Sequence, residues 1–140
     1  MLGRPTTHPS RPILALLVAV AISVSCVPVE LATDQALGRW RVSWRCGTEV
    51  LEFRGDGTFT QQATWPLGTQ THTGSWRIRA RTRSLEGARV ILDSAWELCP
   101  SGYELTHPRL VERSLSAHWE WGRLVLQFHP DIEPFVRETL

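Results

Sequence analysis

Three cysteines, Cys26, Cys46 and Cys99, carry the most reactive side chains of this 140-residue chain. In an oxidising compartment thiols tend to pair, and an odd number leaves one over or put to another use. One such use is metal binding by Cys46 and Cys99 with His72, His107, His118 or His129. No two of these six residues fall at close ligand spacing such as C-x-x-C or H-x-x-x-H, so the expectation is no metal. Motifs of catalysis are missing as well. There is no Gly-x-Ser-x-Gly, no phosphate-binding glycine loop and no His-Glu-x-x-His. Glu97, Glu104, Glu112 and Glu120 are scattered without the pattern of an acid/base pair. His118 near Glu120, and His129 near Asp131, are i,i+2 neighbours that read as surface features rather than dyads. The chain is therefore expected to be non-enzymatic and to use no cofactor.

The first residues explain which compartment the cysteines meet. Arg4, His8 and Arg11 precede an unbroken apolar run from Ile13 to Ile22, and small residues follow at Ser23 and Ser25 before Cys26. A positive stretch, a short greasy stretch and a small-x-small site make up a secretory signal. Ten apolar residues are too few for a bilayer span, which needs about 20. A buried core helix is the competing structural reading. Of 15 basic residues, Arg4 and Arg11 fall in 1–25, leaving 13 against 14 acids and a formal charge of −1 for the rest. That balance argues against nucleic acid as a partner. The chain has no lysine, which fits codon bias from a GC-rich genome.

Ser23, Val24, Ser25 and Cys26 resemble the lipobox of bacterial lipoproteins, in which a large aliphatic residue and two small ones precede the cysteine. Ser25 and Val24 match, while Ser23 stands where Leu is usual. The resemblance implies that Cys26 becomes the N-terminus, carries the lipid (palmitate among its acyl chains) and anchors the protein outside the cytoplasm in the cell envelope. Ordinary signal peptidase cutting the same bond remains the alternative. It would give a secreted soluble protein with Cys26 as a free thiol. With Cys26 lipidated, Cys46 and Cys99 are left to pair. Closing that 54-residue loop would stabilise the fold by about 4 kcal/mol in the chain-entropy model.

The rest of the chain must position these groups, and its hydrophobic period is two. Residues 26–37 read as a tether ending in a helical turn. Trp40, Val42 and Trp44 then share one face, with Arg39, Arg41, Ser43 and Arg45 on the other. Leu51 and Phe53 follow on a second strand. Gly55, Asp56 and Gly57 form a tight turn, and a third strand groups Phe59, Gln61, Ala63 and Trp65. Gly74, Trp76 and Ile78 mark a fourth strand, and Arg89 to Asp93 a fifth. From Ser94 to Pro108 the pattern fails. It resumes with Leu115, Ala117, Trp119 and Trp121 in phase, then Leu124, Leu126 and Phe128. Phe135 to Thr139 reads as a short last strand. Seven or eight closely spaced strands predict an all-β antiparallel meander over 38–140, closed into a barrel or half-barrel, with a β-sandwich as the alternative.

Gly38, Arg39 and Trp40 at the start of this meander resemble the lipocalin-like (calycin) pattern. So does the succession Leu51–Phe53, Asp56–Phe59 and Gly74–Trp76. The resemblance implies that Trp40 closes the base of the barrel and meets an arginine from the last strand. Arg123 and Arg137 both fit that role. Seven tryptophans predict a Trp-rich core. Alternatively, Trp40, Trp44, Trp65, Trp76, Trp119 and Trp121 line a mouth for a small apolar ligand or lipid. Trp119 and Trp121 are the ones expected to be partly exposed. Arg77, Arg79, Arg81 and Arg83 alternate along one strand face, as Arg39, Arg41 and Arg45 do on another. They are read either as a solvated outer face paired with Glu49 and Glu52, or as a contact for anionic headgroups. The expected function is a monomeric, membrane-anchored, non-catalytic binding module. The alternative is an envelope structural or interaction protein with a filled core.

Overall fold

A computed structural model describes residues 30–80, 87–97 and 109–139. The expected export segment 1–25, Cys26, Arg81, Arg83, Cys99 and His107 lie outside the described residues. One helical turn, α1 (Thr33–Ala36), precedes eight strands. These are β1 (Gly38–Trp44), β2 (Gly47–Phe53), β3 (Thr58–Trp65), β4 (Gly68–Arg79), β5 (Arg89–Trp96), β6 (Leu110–Glu120), β7 (Arg123–Gln127) and β8 (Phe135–Arg137). Each strand pairs antiparallel with the next. The sheet closes where Trp40 opposes Arg137 and Arg41 opposes Val136. The fold is thus a closed eight-stranded meander barrel, not a sandwich. Closure removes the unpaired strand edges that an open sheet would expose.

Period-two patterning explains the interior. Trp40 and Val42 of β1, Leu51 and Phe53 of β2, Phe59 of β3 and Trp76 of β4 are buried in one cluster. Val90 and Leu92 of β5, Leu115 and Ala117 of β6, Leu126 of β7 and Phe135 of β8 complete it. Gly74 is demanded by this packing. A Cβ there would lie 2.6 Å from a Phe59 ring carbon and 2.7 Å from the Ser94 carbonyl oxygen.

Two departures from the sequence reading have local causes. The strand after Leu92 continues to Trp96 through a register shift between Leu92 and Ala95. Such a bulge resets the alternation, so the pattern fails on paper where the strand persists in space. β6 likewise begins at Leu110, five residues before the first apolar residue of the expected pattern, because Arg113 occupies an inward position.

Candidate functional site

The strands have two distinct ends. At the base, where β1 begins, Trp40 is fully buried, and its indole N–H donates to the Ala36 carbonyl of α1 at 2.8 Å. Of the two arginines left open by the sequence, Arg137 takes the place beside it. Its guanidinium sits 5.0 Å from the Trp40 ring centroid and donates to the Leu37 carbonyl at 2.7 Å and to the Gln35 carbonyl. Arg123 is exposed at the start of β7. One stacked pair thereby pins α1 across the base.

Toward the opposite end the barrel encloses charge. Glu49 and Arg113 are 2% and 1% exposed, and Arg113 Nη1 donates to Glu49 Oε1 at 2.6 Å. Gln61 Nε2 donates to the same oxygen at 2.9 Å, while its Oε1 accepts the Trp96 backbone N–H at 2.8 Å. The Arg113 guanidinium lies 5.5 Å from the Phe128 ring centroid and 5.8 Å from that of Phe135. β2, β3, β5 and β6 are thereby cross-linked through one polar knot. Glu49 Oε2, Arg113 Nε and Nη2, and Trp44 Nε1 have no hydrogen-bond partner among the described residues. This knot corrects the expectation that Glu49 pairs with the outer arginines. Glu49 is two residues before Leu51, so the pleat that buries Leu51 and Phe53 also turns Glu49 inward. Its phase was readable; its partner, 64 residues away, was not.

A partly open space of about 10 Å³ lies beside Glu49, lined by Trp44, Glu49, Gln61, Ala63, Trp65 and Glu97 among others. That volume suits a single water. The six candidate tryptophans do not converge on a common cavity. Trp76 packs 5.1 Å from Phe53 and donates to the Arg54 carbonyl at 3.0 Å. Trp65 meets Trp96 at 5.6 Å, and Trp44 stands edge-on to Phe135 at 5.8 Å. Trp119 and Trp121 are 55% and 93% exposed. An open depression of about 680 Å³ is lined by Ser43, Trp44 and the β1–β2 turn on one side and by Asp131, Ile132 and Glu133 on the other.

The described members of the arginine rows, Arg39, Arg41, Arg45, Arg77 and Arg79, face outward. Arg77 pairs with Asp93 and, at 3.6 Å, with Glu112. Arg79 lies opposite Arg89, and both are exposed. Glu138 accepts from Arg39 at 2.9 Å and from Arg41 at 2.6 Å, and these two bonds hold its carboxyl below the usual range. Glu52 lies 3.9 Å from both Arg39 and Arg54. Cys46, in the β1–β2 turn, is not a free thiol. Among the described residues no three His, Cys, Asp or Glu side chains gather to hold a metal. His72 instead bonds the Ser94 carbonyl at 2.9 Å. Comparison of the chain with protein-family models, curated proteins and solved structures found no match.

Proposed function

We propose that this chain is an extracytoplasmic bacterial lipoprotein, anchored through Cys26, whose lipocalin-like barrel is a non-catalytic interaction module. It works through its outer surface rather than by holding an apolar ligand inside. The observation that carries this reading is the filled interior. Trp40, Leu51, Phe59, Leu115, Leu126 and Phe135 are fully buried in it, and the Glu49–Arg113 pair occupies the remaining depth. Pockets for ligands of ordinary size need roughly 300–1,000 Å³; the space beside Glu49 is about 10 Å³, and the depressions of about 320 and 680 Å³ next to Trp119 and Trp44 are open to solvent. The stacking of Arg137 on Trp40 supports the resemblance to the calycin pattern. Pairing of Cys46 with Cys99 completes the cysteine assignment.

A titration with a fluorescent fatty acid tests the choice between filled module and ligand cup. The expected result is no saturable binding at micromolar protein. Saturation at one probe per chain would restore the ligand-cup reading. Replacing Cys26 with Ala tests the anchor: the protein should leave the membrane pellet, and its retention there would contradict the assignment.

A further inference from the structure

We propose that the β6–β7 turn is a membrane-docking edge, with Trp119 and Trp121 seated in the headgroup region of the bilayer that carries the Cys26 lipid. The inference rests on the lipoprotein reading above and adds the surface by which the barrel meets the membrane.

Three observations converge on this turn. Its central residues, Trp121 and Gly122, both have positive φ, at 50° and 76°. A two-residue hairpin turn of this kind favours Asn, Asp or Gly. A bulky aromatic there is strained, and Trp121, 93% exposed, gains little contact within the chain in return. Trp119, 55% exposed, lies two residues before it, near the end of β6.

The second observation is the end of the barrel at which the turn lies. Trp119 and Arg123 share an open cleft of about 320 Å³ with Trp40 and Arg137. Arg137 in turn bonds the Leu37 carbonyl, next to α1, where the tether enters the barrel. Only four peptide links separate Cys26 from Glu30, a reach of about 14 Å at most. A lipid on Cys26 therefore holds this end of the barrel against the bilayer.

The third observation is chemical. Indoles combine an apolar body with an N–H donor and favour the membrane–water boundary. Arg123 flanks the turn, and exposed Arg54, Arg79 and Arg89 lie at the same end of their strands, where anionic headgroups would attract them. Glu30, Asp34, Asp56 and Glu120 lie at the same end, and Glu52 stands 3.9 Å from Arg54, so the fit is to a mixed interface rather than to a purely anionic one.

The test uses the mature lipidated chain, purified from bacterial membranes and reconstituted into phosphatidylcholine–phosphatidylglycerol vesicles. Part of the phosphatidylcholine carries brominated acyl chains that quench nearby indoles. The expected result is quenching of the tryptophan emission, lost when Trp119→Ser and Trp121→Ser are combined while the chain still floats with the vesicles. Trp121→Asn, which suits the turn and guards against misfolding, should lose part of it. A vesicle-bound wild-type chain without quenching, or a double variant quenched as strongly as wild type, overturns the proposal and assigns the exposed pair to a protein partner. A chain that does not float with vesicles at all sinks the lipid-anchor reading, and the docking edge with it.

Discussion

Glu49 carries a charge on the inward face of β2, and the barrel accommodates it only because Arg113 and Gln61 reach the same oxygen. Removing one member of a buried pair leaves the other uncompensated, at a cost of about 3–5 kcal/mol. Arg113→Met should therefore lower stability by that amount in denaturant unfolding followed by tryptophan emission. Combining it with Glu49→Leu should recover most of the loss. A double variant no more stable than Arg113→Met would show that the knot matters through Gln61 or the rings of Phe128 and Phe135. The inward phase of Gln61 was legible beside Phe59 and Ala63; that of Glu49 and Arg113 follows from Leu51 and Leu115 two residues on, but their charge pointed to the outer face. The contact of Glu49 with Gln61 follows from the register of the β2–β3 hairpin, but that of Glu49 with Arg113, 64 residues away, depends on closure of the sheet. Glu138 offers a check on the outside. Its folded pKa is depressed by Arg39 and Arg41 below the ordinary value of 4.5. The stabilisation it gives is complete above that value and fades as pH falls through the lower folded pKa. Glu138→Gln should cost less than about 1 kcal/mol at neutral pH, because the pair is solvent-screened. It should cost nothing once the medium is acid enough to protonate the folded carboxyl. An unchanged difference in acid would contradict the ion-pair account.

At the level of strands and turns, alternation located most of the sheet. Trp40, Val42 and Trp44 marked β1, and Phe59 to Trp65 marked β3, because each strand has one buried and one wet face. The irregular stretch of β5 escaped because the shift between Leu92 and Ala95 breaks the period that identifies a strand. The choice between Arg123 and Arg137 needed the pairing of β8 with β1, which local sequence does not encode. Gly74 illustrates how tightly β3, β4 and β5 approach. Gly74→Ala should destabilise by about 1–3 kcal/mol, as overpacking does, and a stability within error of wild type would mean that Phe59 repacks freely. The β6–β7 turn should respond the other way. Trp121→Asn relieves a left-handed aromatic and should raise stability by about 1 kcal/mol in solution. A loss of stability would mean that the indole makes contacts that its exposure does not reveal.

For the whole molecule, the filled barrel is the observation that supports the proposed reading. Its apolar residues, the Trp40–Arg137 base and the Glu49–Arg113 knot together occupy the space that a ligand cup would keep open. The proposed export, lipid anchor and disulfide rest on cysteine chemistry and on the apolar run before Cys26, and together they would keep the barrel at a membrane. The most direct test of this account is the native mass spectrum of the protein released from bacterial membranes in mild detergent. The account predicts one species, beginning at Cys26, carrying its lipid and the two-hydrogen deficit of a disulfide, with no further bound mass. A stoichiometric apolar ligand retained in that spectrum would contradict it.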